Sequence, residues 1–391
     1  MQLPASMKKV GQYAFAECTG FTTFTLPDAV TITNDDGGAL FEGCTSLESV
    51  KLPAGIQILP IYMFRNCTSL KSLEIPATVT ELGEASMKNC TSLTAITVPE
   101  GVNVLRGEAF SACTSLTSIS LPGTLKIIGA SALRNCEKLT DVKLGEGIER
   151  IESSVFFGCH SLKSIKLPES VNYLGLAAFR ECISLCDITF SPNISQIPPF
   201  LFSNCTSLPA SMVIPGNIKK VGSAAFQACS SLKWLTFEEG LEEIGSSPFH
   251  DCNHLESISL PSTTKTVSND FLEQGLGALK AIYLHATTPP AVTGNPAYVQ
   301  GDGEKCVLYV PAGYYTVYKD NSAWWNVITY AWGTRTNFKS VEEMDVNAIN
   351  DARSDHSANA PAYRLSGISV KNPGNAKGLY IRNGKKIIIP E

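Results

Sequence analysis

Thirteen cysteines, the run His250-Asp251-Cys252-Asn253-His254 and several carboxylate pairs are the side chains of this 391-residue sequence that could do chemistry. Cysteines could bridge as disulfides, hold a soft metal or act as nucleophiles. Their spacing decides among these. Cys18, Cys44, Cys67, Cys90, Cys113, Cys136, Cys159, Cys182, Cys205, Cys229 and Cys252 follow one another at 26, then seven times at 23, then at 24 and 23 residues. Three residues before each stands Phe15, Phe41, Phe64, Met87, Phe110, Leu133, Phe156, Phe179, Phe202, Phe226 or Phe249, and three after stands Leu, or Phe21 in the first copy. A constant interval gives every cysteine the same place in successive copies of one structural unit. Copies stacked in register set their thiols side by side with parallel Cβ vectors, whereas a disulfide needs converging Cβ atoms and a χ3 of about ±90°. The ladder Cys44 to Cys252 therefore reads as free, buried thiols packing as small apolar residues. Cys186, at an outer strand position, and Cys306, beyond the array, lie off the ladder and are read as inert thiols.

The other candidates dissolve in the same frame. Cys252 belongs to the inward ladder, so His250 and His254 face elsewhere and the run reads as a turn rather than a zinc site. Asn34-Asp35-Asp36-Gly37 lacks the alternating oxygen ligands and terminal Glu of a calcium loop. None of the five histidines, His160, His250, His254, His285 and His356, stands at a spacing that pairs a nucleophile with its base. No Gly-rich phosphate loop, His-Glu-x-x-His run or Gly-x-Ser-x-Gly elbow is present. Glu238-Glu239 and Glu242-Glu243 read as solvated exterior charge. Asn66-Cys67-Thr68, Asn89-Cys90-Thr91 and Asn204-Cys205-Thr206 match a glycosylation pattern but recur as the wording of a turn. The expectation is a chain with no catalytic residues, no metal and no cofactor.

The elements that position these residues repeat with the cysteines. In Leu116-Thr117-Ser118-Ile119-Ser120-Leu121-Pro122, apolar residues alternate with small polar ones, the signature of a strand with one buried face. Proline ends it, Leu125 and Ile128 form a second apolar pair, and Gly129 precedes the Leu133-x-x-Cys136 turn back to the start. One such coil cannot bury its apolar face alone, so the coils must stack, with each strand pairing to the next. The unit Leu-x-x-Ile-x-Leu-Pro-x-x-Val-x-x-Ile-Gly-x-x-Ala-Phe-x-x-Cys resembles the BspA-like leucine-rich repeat family of bacterial surface proteins. That resemblance implies a curved leucine-rich-repeat solenoid, with a parallel β-sheet on the concave face and short strands and turns on the convex face. It covers residues 1–286, about twelve coils with the first truncated. The sequence begins inside a coil, so a cap and a secretion leader are expected upstream.

After Leu284 the period stops and Thr287-Thr288-Pro289-Pro290 marks a boundary. Residues 287–341, with the strand-like Cys306 to Val310 run, Tyr318 and Trp324-Trp325, resemble a C-terminal capping segment. Residues 342–361 are polar and aperiodic and read as a linker. Residues 362–391 form a small β-rich tail module in which Asn383-Gly384 signals a hairpin. Its Gly-x-Tyr-Ile-x-Asn-Gly-Lys-Lys core resembles a C-terminal element of exported bacterial proteins.

Charged residues are 17% and the formal net charge is -5, without a basic patch or polybasic run, which excludes nucleic acid and anionic lipid as partners. No apolar stretch is long enough to span a bilayer, so no membrane insertion is expected of this chain. Function then falls on the outward columns of the strand face. One runs Ser49, Ser72, Ala95, Ser118, Asp141, Ser164, Asp187, Ser211, Trp234, Ser257, Ala281, and its companion ends at Tyr283. Asp141, Lys143, Lys166 and Asp187 form a mixed-charge cluster in consecutive coils, while Trp234 and Tyr283 add aromatics further on, where binding hot spots favour them. The reading is a monomeric, adhesin-like protein, extracellular or on the outer surface of a bacterium, presenting the concave face to an extracellular protein such as host matrix or another surface protein. A structural surface-layer or spacer protein and a glycan-binding surface protein are the alternatives.

Overall fold

The computed structural model describes residues 3–33, 38–272, 275–294, 306–324 and 338–344, and in the tail the strands at 362–364, 369–370, 378–382 and 385–389. The loop Asn34 to Gly37, Trp325, residues 345–361 and Asn383-Gly384, all singled out in the sequence, lie outside the described residues. The chain is a parallel-strand β-solenoid of about twelve turns with little helix. It divides into two compact units, Met1–Pro209 with Gly222–Cys229, and Ala210–Val221 with Ser230–Glu391.

In the first unit most coils supply two strands. The longer ones include Ser118–Ser120, Asp141–Lys143, Ser164–Lys166 and Asp187–Thr189, each with its central residue turned inward and its flanks outward. Two-residue strands from Ile58–Leu59 to Tyr173–Leu174 make a second, six-stranded parallel ladder on another side of the coil. Between the ladders the chain turns through two left-handed residues per coil, five and one positions before the cysteine. Ala85 and Asn89 have φ of 47° and 62°, and Ser131 and Asn135 have 57° and 58°. Asn and Gly tolerate that region best, which explains the Asn-Cys-Thr wording as backbone conformation. Amide groups of this turn donate to the next coil, as in Ala85 to Gly107, Met87 to Ala109 and Asn89 to Ser111, so residues other than Gly are held there. Gly129 is required by close approach: a Cβ there would sit 2.6 Å from the Arg106 carbonyl carbon and the Gly107 nitrogen of the preceding coil.

The interior is columnar. Phe156 and Phe179 stack at 5.4 Å with an interplanar angle of 4°, and Phe41 and Phe64 at 5.5 Å and 3°. Beside them run the thiols, and here the sequence reading was incomplete. Each ladder cysteine from Cys67 to Cys229 donates its S–H to the carbonyl of the Phe-column residue one coil earlier, as Cys113 does to Met87 at 3.2 Å and Cys136 to Phe110 at 3.2 Å. The column is thus both apolar filler and a hydrogen-bond ladder.

The second unit continues the pattern in Ser211–Ile214, Trp234–Phe237, Ser257–Leu260, Ala281–Leu284, Cys306–Pro311 and Phe338–Met344, paired in parallel in that order. Glu342 to Met344, read from sequence as the start of a linker, instead finish the last of these strands. A short helix, Tyr315–Lys319, follows Cys306–Pro311. Tyr318 and Trp324 are fully buried, and their polar ends find carbonyl partners, Tyr318 Oη to Ala286 at 2.7 Å and Trp324 Nε1 to Pro290 at 2.7 Å. In the tail, Gly378–Arg382 pairs antiparallel with Lys385–Ile389, Arg382 standing opposite Lys385.

Candidate functional site

Outward side chains of the longer strands form the candidate face. In the first unit Asp141 stands beside Ser118 and Lys143 beside Ser120, while Ser164 stands beside Asp187 and Lys166 beside Thr189. All four candidate charges are exposed. Among the described residues none has an oppositely charged group within ion-pair distance. Several charges elsewhere on the coils behave differently, because a 23-residue interval sets a Lys beside a Glu of the adjoining coil. Lys126 pairs with Glu149 at 2.8 Å, Lys71 with Glu48 at 2.8 Å and Lys265 with Glu242 at 2.7 Å. The strand-face cluster therefore combines full solvation with unspent pairing capacity.

In the second unit Trp234 is half-buried between Ser211 and Ser257, its indole 5.9 Å from the Lys233 ammonium, and Val213 is exposed diagonally beside it. Tyr283 is a correction. It is 6% exposed, stacked on Tyr309 at 4.8 Å and 8°, and clustered with Ala281 and Met344. The strands that follow the repeat array bring Tyr309 and Met344 over it, so its ring is packing rather than open surface. Burial and then the nearby Glu342 carboxylate raise the Tyr309 hydroxyl above its usual pKa, which keeps it neutral.

The thiols are chemically quiet. Burial pushes Cys44 up to about 11 and Cys113 and Cys159 to about 12, and raises Cys67, Cys90, Cys136, Cys182 and Cys205 as well. Cys306 is buried and raised to about 12, whereas Cys186 is exposed. Cys252 is buried in the column, His254 is exposed, and His250 Nδ1 lies 3.2 Å from Asp251. Among the described residues no three His, Cys, Asp or Glu side chains converge as metal ligands, and no helix is long and apolar enough to cross a membrane.

Two features escaped sequence reasoning. Phe157 is flanked by the guanidinium groups of Arg134 at 4.4 Å and Arg180 at 5.5 Å on the turn side of the coils. Their shared column, two residues before the cysteine, was the available signal. Ser259 Oγ lies 3.0 Å from His285 Nε2, a pair that only the strand pairing of Ser257–Leu260 with Ala281–Leu284 brings together.

The family model for the BspA type leucine-rich repeat region, six copies long, matches residues 1–114, 36–163 and 149–277. The chain belongs to the BspA-type leucine-rich repeat family. A leucine-rich repeat protein from Bacteroides ovatus is 24% identical, with a TM-score of 0.58 over 86% of this chain and 88% of that one, and it shares the fold. A leucine rich cell surface protein from Faecalibacterium prausnitzii aligns at 21% identity and a TM-score of 0.46, over 68% of this chain and 88% of that one. The pneumococcal vaccine antigen PcpA aligns at 18% and 0.44, over 88% and 91%. No curated protein matches the chain in sequence.

Proposed function

We propose that this BspA-type repeat protein is a non-enzymatic binding protein of the bacterial surface or exterior, which acts as a monomer and docks an extracellular protein on the strand face. The observation that carries the reading is the clustering of four exposed charges of both signs on the outward positions of successive coils. Lys71, Lys126 and Lys265, on other sides of the coils, are each paired with a glutamate of an adjoining coil, while Asp141, Lys143, Lys166 and Asp187 lie on successive coils of one face and are exposed without ion-pair partners among the described residues. Charges held on paired strands and free of internal partners keep their full capacity for a ligand, and they govern encounter rate and register more than raw affinity. Trp234, with exposed Val213 beside it, supplies the kind of aromatic anchor on which interface energy concentrates. Family membership supports surface presentation, since the fold offers a scaffold on which outward side chains vary without disturbing the interior.

The test is binding of the whole chain to purified extracellular matrix and mucosal proteins, with a glycan array run in parallel. Lys143→Glu with Lys166→Glu, and separately Trp234→Ala, should each weaken protein binding at least tenfold, about 1.4 kcal/mol. Lys126→Glu, on another side of the coil, should leave it unchanged. Equal binding by all variants removes the strand face from the interaction. Binding to glycans alone favours a lectin, and self-association without any ligand favours a surface-layer or spacer role.

A further inference from the structure

The ladder of longer strands in the first unit is interrupted at one junction where both flanking segments are strands. Asp141–Lys143 pairs with Ser118–Ser120, and Ser164–Lys166 pairs with Asp187–Thr189, yet the two pairs fall in separate sheets. Intact junctions on either side show what is missing. Thr140 N and Asp141 N donate to the Thr117 carbonyl at 3.0 and 3.1 Å, and Leu121 N to the Lys143 carbonyl at 2.9 Å. Cys186 N and Asp187 N donate to the Lys163 carbonyl at 2.9 and 3.2 Å, and Leu167 N to the Thr189 carbonyl at 3.0 Å. Between Asp141–Lys143 and Ser164–Lys166, among the described residues, no equivalent backbone bond is made.

The outward side chains at this junction are Lys143 and Lys166, in one column and in successive coils, on strands that would stand about 4.8 Å apart once paired. Like charges directly opposite each other on a sheet are destabilising, and among the described residues neither lysine has a carboxylate within ion-pair distance to offset the other. A carboxylate set between the two ammonium groups would accept a charge-assisted hydrogen bond from each and turn repulsion into attraction. The neighbouring column holds Asp141 and Asp187, which repel an acid placed above them and thereby confine it to the lysine column.

We infer that Lys143 and Lys166 form a clamp for an acidic side chain of a bound polypeptide, and that its occupancy draws the two strands into the ladder contact they lack. The inference rests on the strand-face docking proposed above and names the chemistry of the partner there: an Asp or Glu opposite the lysine column, with basic residues opposite Asp141 and Asp187. Ligand binding is thereby coupled to order in the adjoining coils, because one bound carboxylate favours the closed arrangement over the open one.

Hydrogen exchange of the whole chain at low ionic strength tests the clamp, with hexaglutamate as the probe. In the free protein, segments covering residues 161–168 should exchange about tenfold faster than those covering 117–121 and 185–190. Hexaglutamate should slow them. Lys143→Ser, which places there the residue type of Ser120 in the preceding coil, should slow exchange without ligand and abolish the response to hexaglutamate. Exchange in the free protein as slow as at the neighbouring junctions overturns the inference, as does exchange unaltered by Lys143→Ser. Equal protection by sodium sulfate at matched ionic strength overturns the polypeptide assignment in favour of a simple anion site. These outcomes are separable from failure of the docking reading, which is decided by partner binding to the Trp234 and lysine variants.

Discussion

Raising the pH should unfold this protein through its thiol column. Eight ladder cysteines, Cys44 to Cys205, have thiols raised by burial, those of Cys44, Cys113 and Cys159 to between about 11 and about 12. In the unfolded chain a thiol titrates near 8.5. The folded values lie above the unfolded one, so the stabilisation is fully present below about pH 8.5 and is lost as pH rises toward the folded values. At pH 9.5 an unfolded thiol is about nine-tenths ionised and favours unfolding by about 1.4 kcal/mol, so eight of them contribute about 11 kcal/mol. That equals the whole stability of an ordinary domain, about 5–15 kcal/mol. Urea unfolding followed by circular dichroism, with a phosphine reductant at pH 7.5 and pH 9.5, should therefore show a collapse of the midpoint. A disulfide-exchange reagent at pH 8 should modify Cys186 first, the thiol that is exposed, and reach the column only as the chain unfolds. Equal midpoints at the two pH values, or rapid modification of many thiols in the native protein, would refute the buried column.

Three substitutions probe the coil itself. Thr264 stands in a column with Leu241 and Ile218, and its hydroxyl is buried without a hydrogen-bond partner, so Thr264→Val should stabilise the protein by about 1–2 kcal/mol in thermal unfolding. Phe179→Ala removes a fully buried ring that stacks on Phe156 at 5.4 Å and on Phe202 at 6.2 Å; a loss of about 3–5 kcal/mol is expected by urea titration. At Asn89, φ is 62°, so Asn89→Gly should be close to neutral and Asn89→Val should cost about 1–2 kcal/mol or more, the reverse of what strand propensity would suggest. A stable Asn89→Val protein, measured by calorimetry, would remove the left-handed turn from the explanation of the Asn-Cys-Thr wording.

The period of the cysteines, with Phe three residues before and Leu three after, was enough to establish the coil, the strand and which residues lie inside. Those properties repeat with the coil, and each coil meets a neighbour nearly identical to itself. Asp141, Lys143, Lys166 and Asp187 were legible as outward residues for the same reason: strand alternation assigns them a side. What the linear pattern left open depends on which particular atoms arrive from another coil. Tyr283 reads as an outward residue by alternation and becomes buried because Tyr309 and Met344, outside the repeat, are laid over it. The cysteines read as filler, but their S–H bonds reach a carbonyl 26 or 27 residues earlier, a distance set by the stacking and not by the frame of one unit. The left-handed residues at Ala85 and Ser131 carry no Gly or Asn signal, because hydrogen bonds from their own amides to carbonyls of the adjoining coil, Gly107 and Ser153, hold them there. Local periodicity decided the unit and its interior; contact between coils decided how each side chain ends, because hydrogen bonds, stacking and charge pairing require a partner that sequence distance alone does not supply.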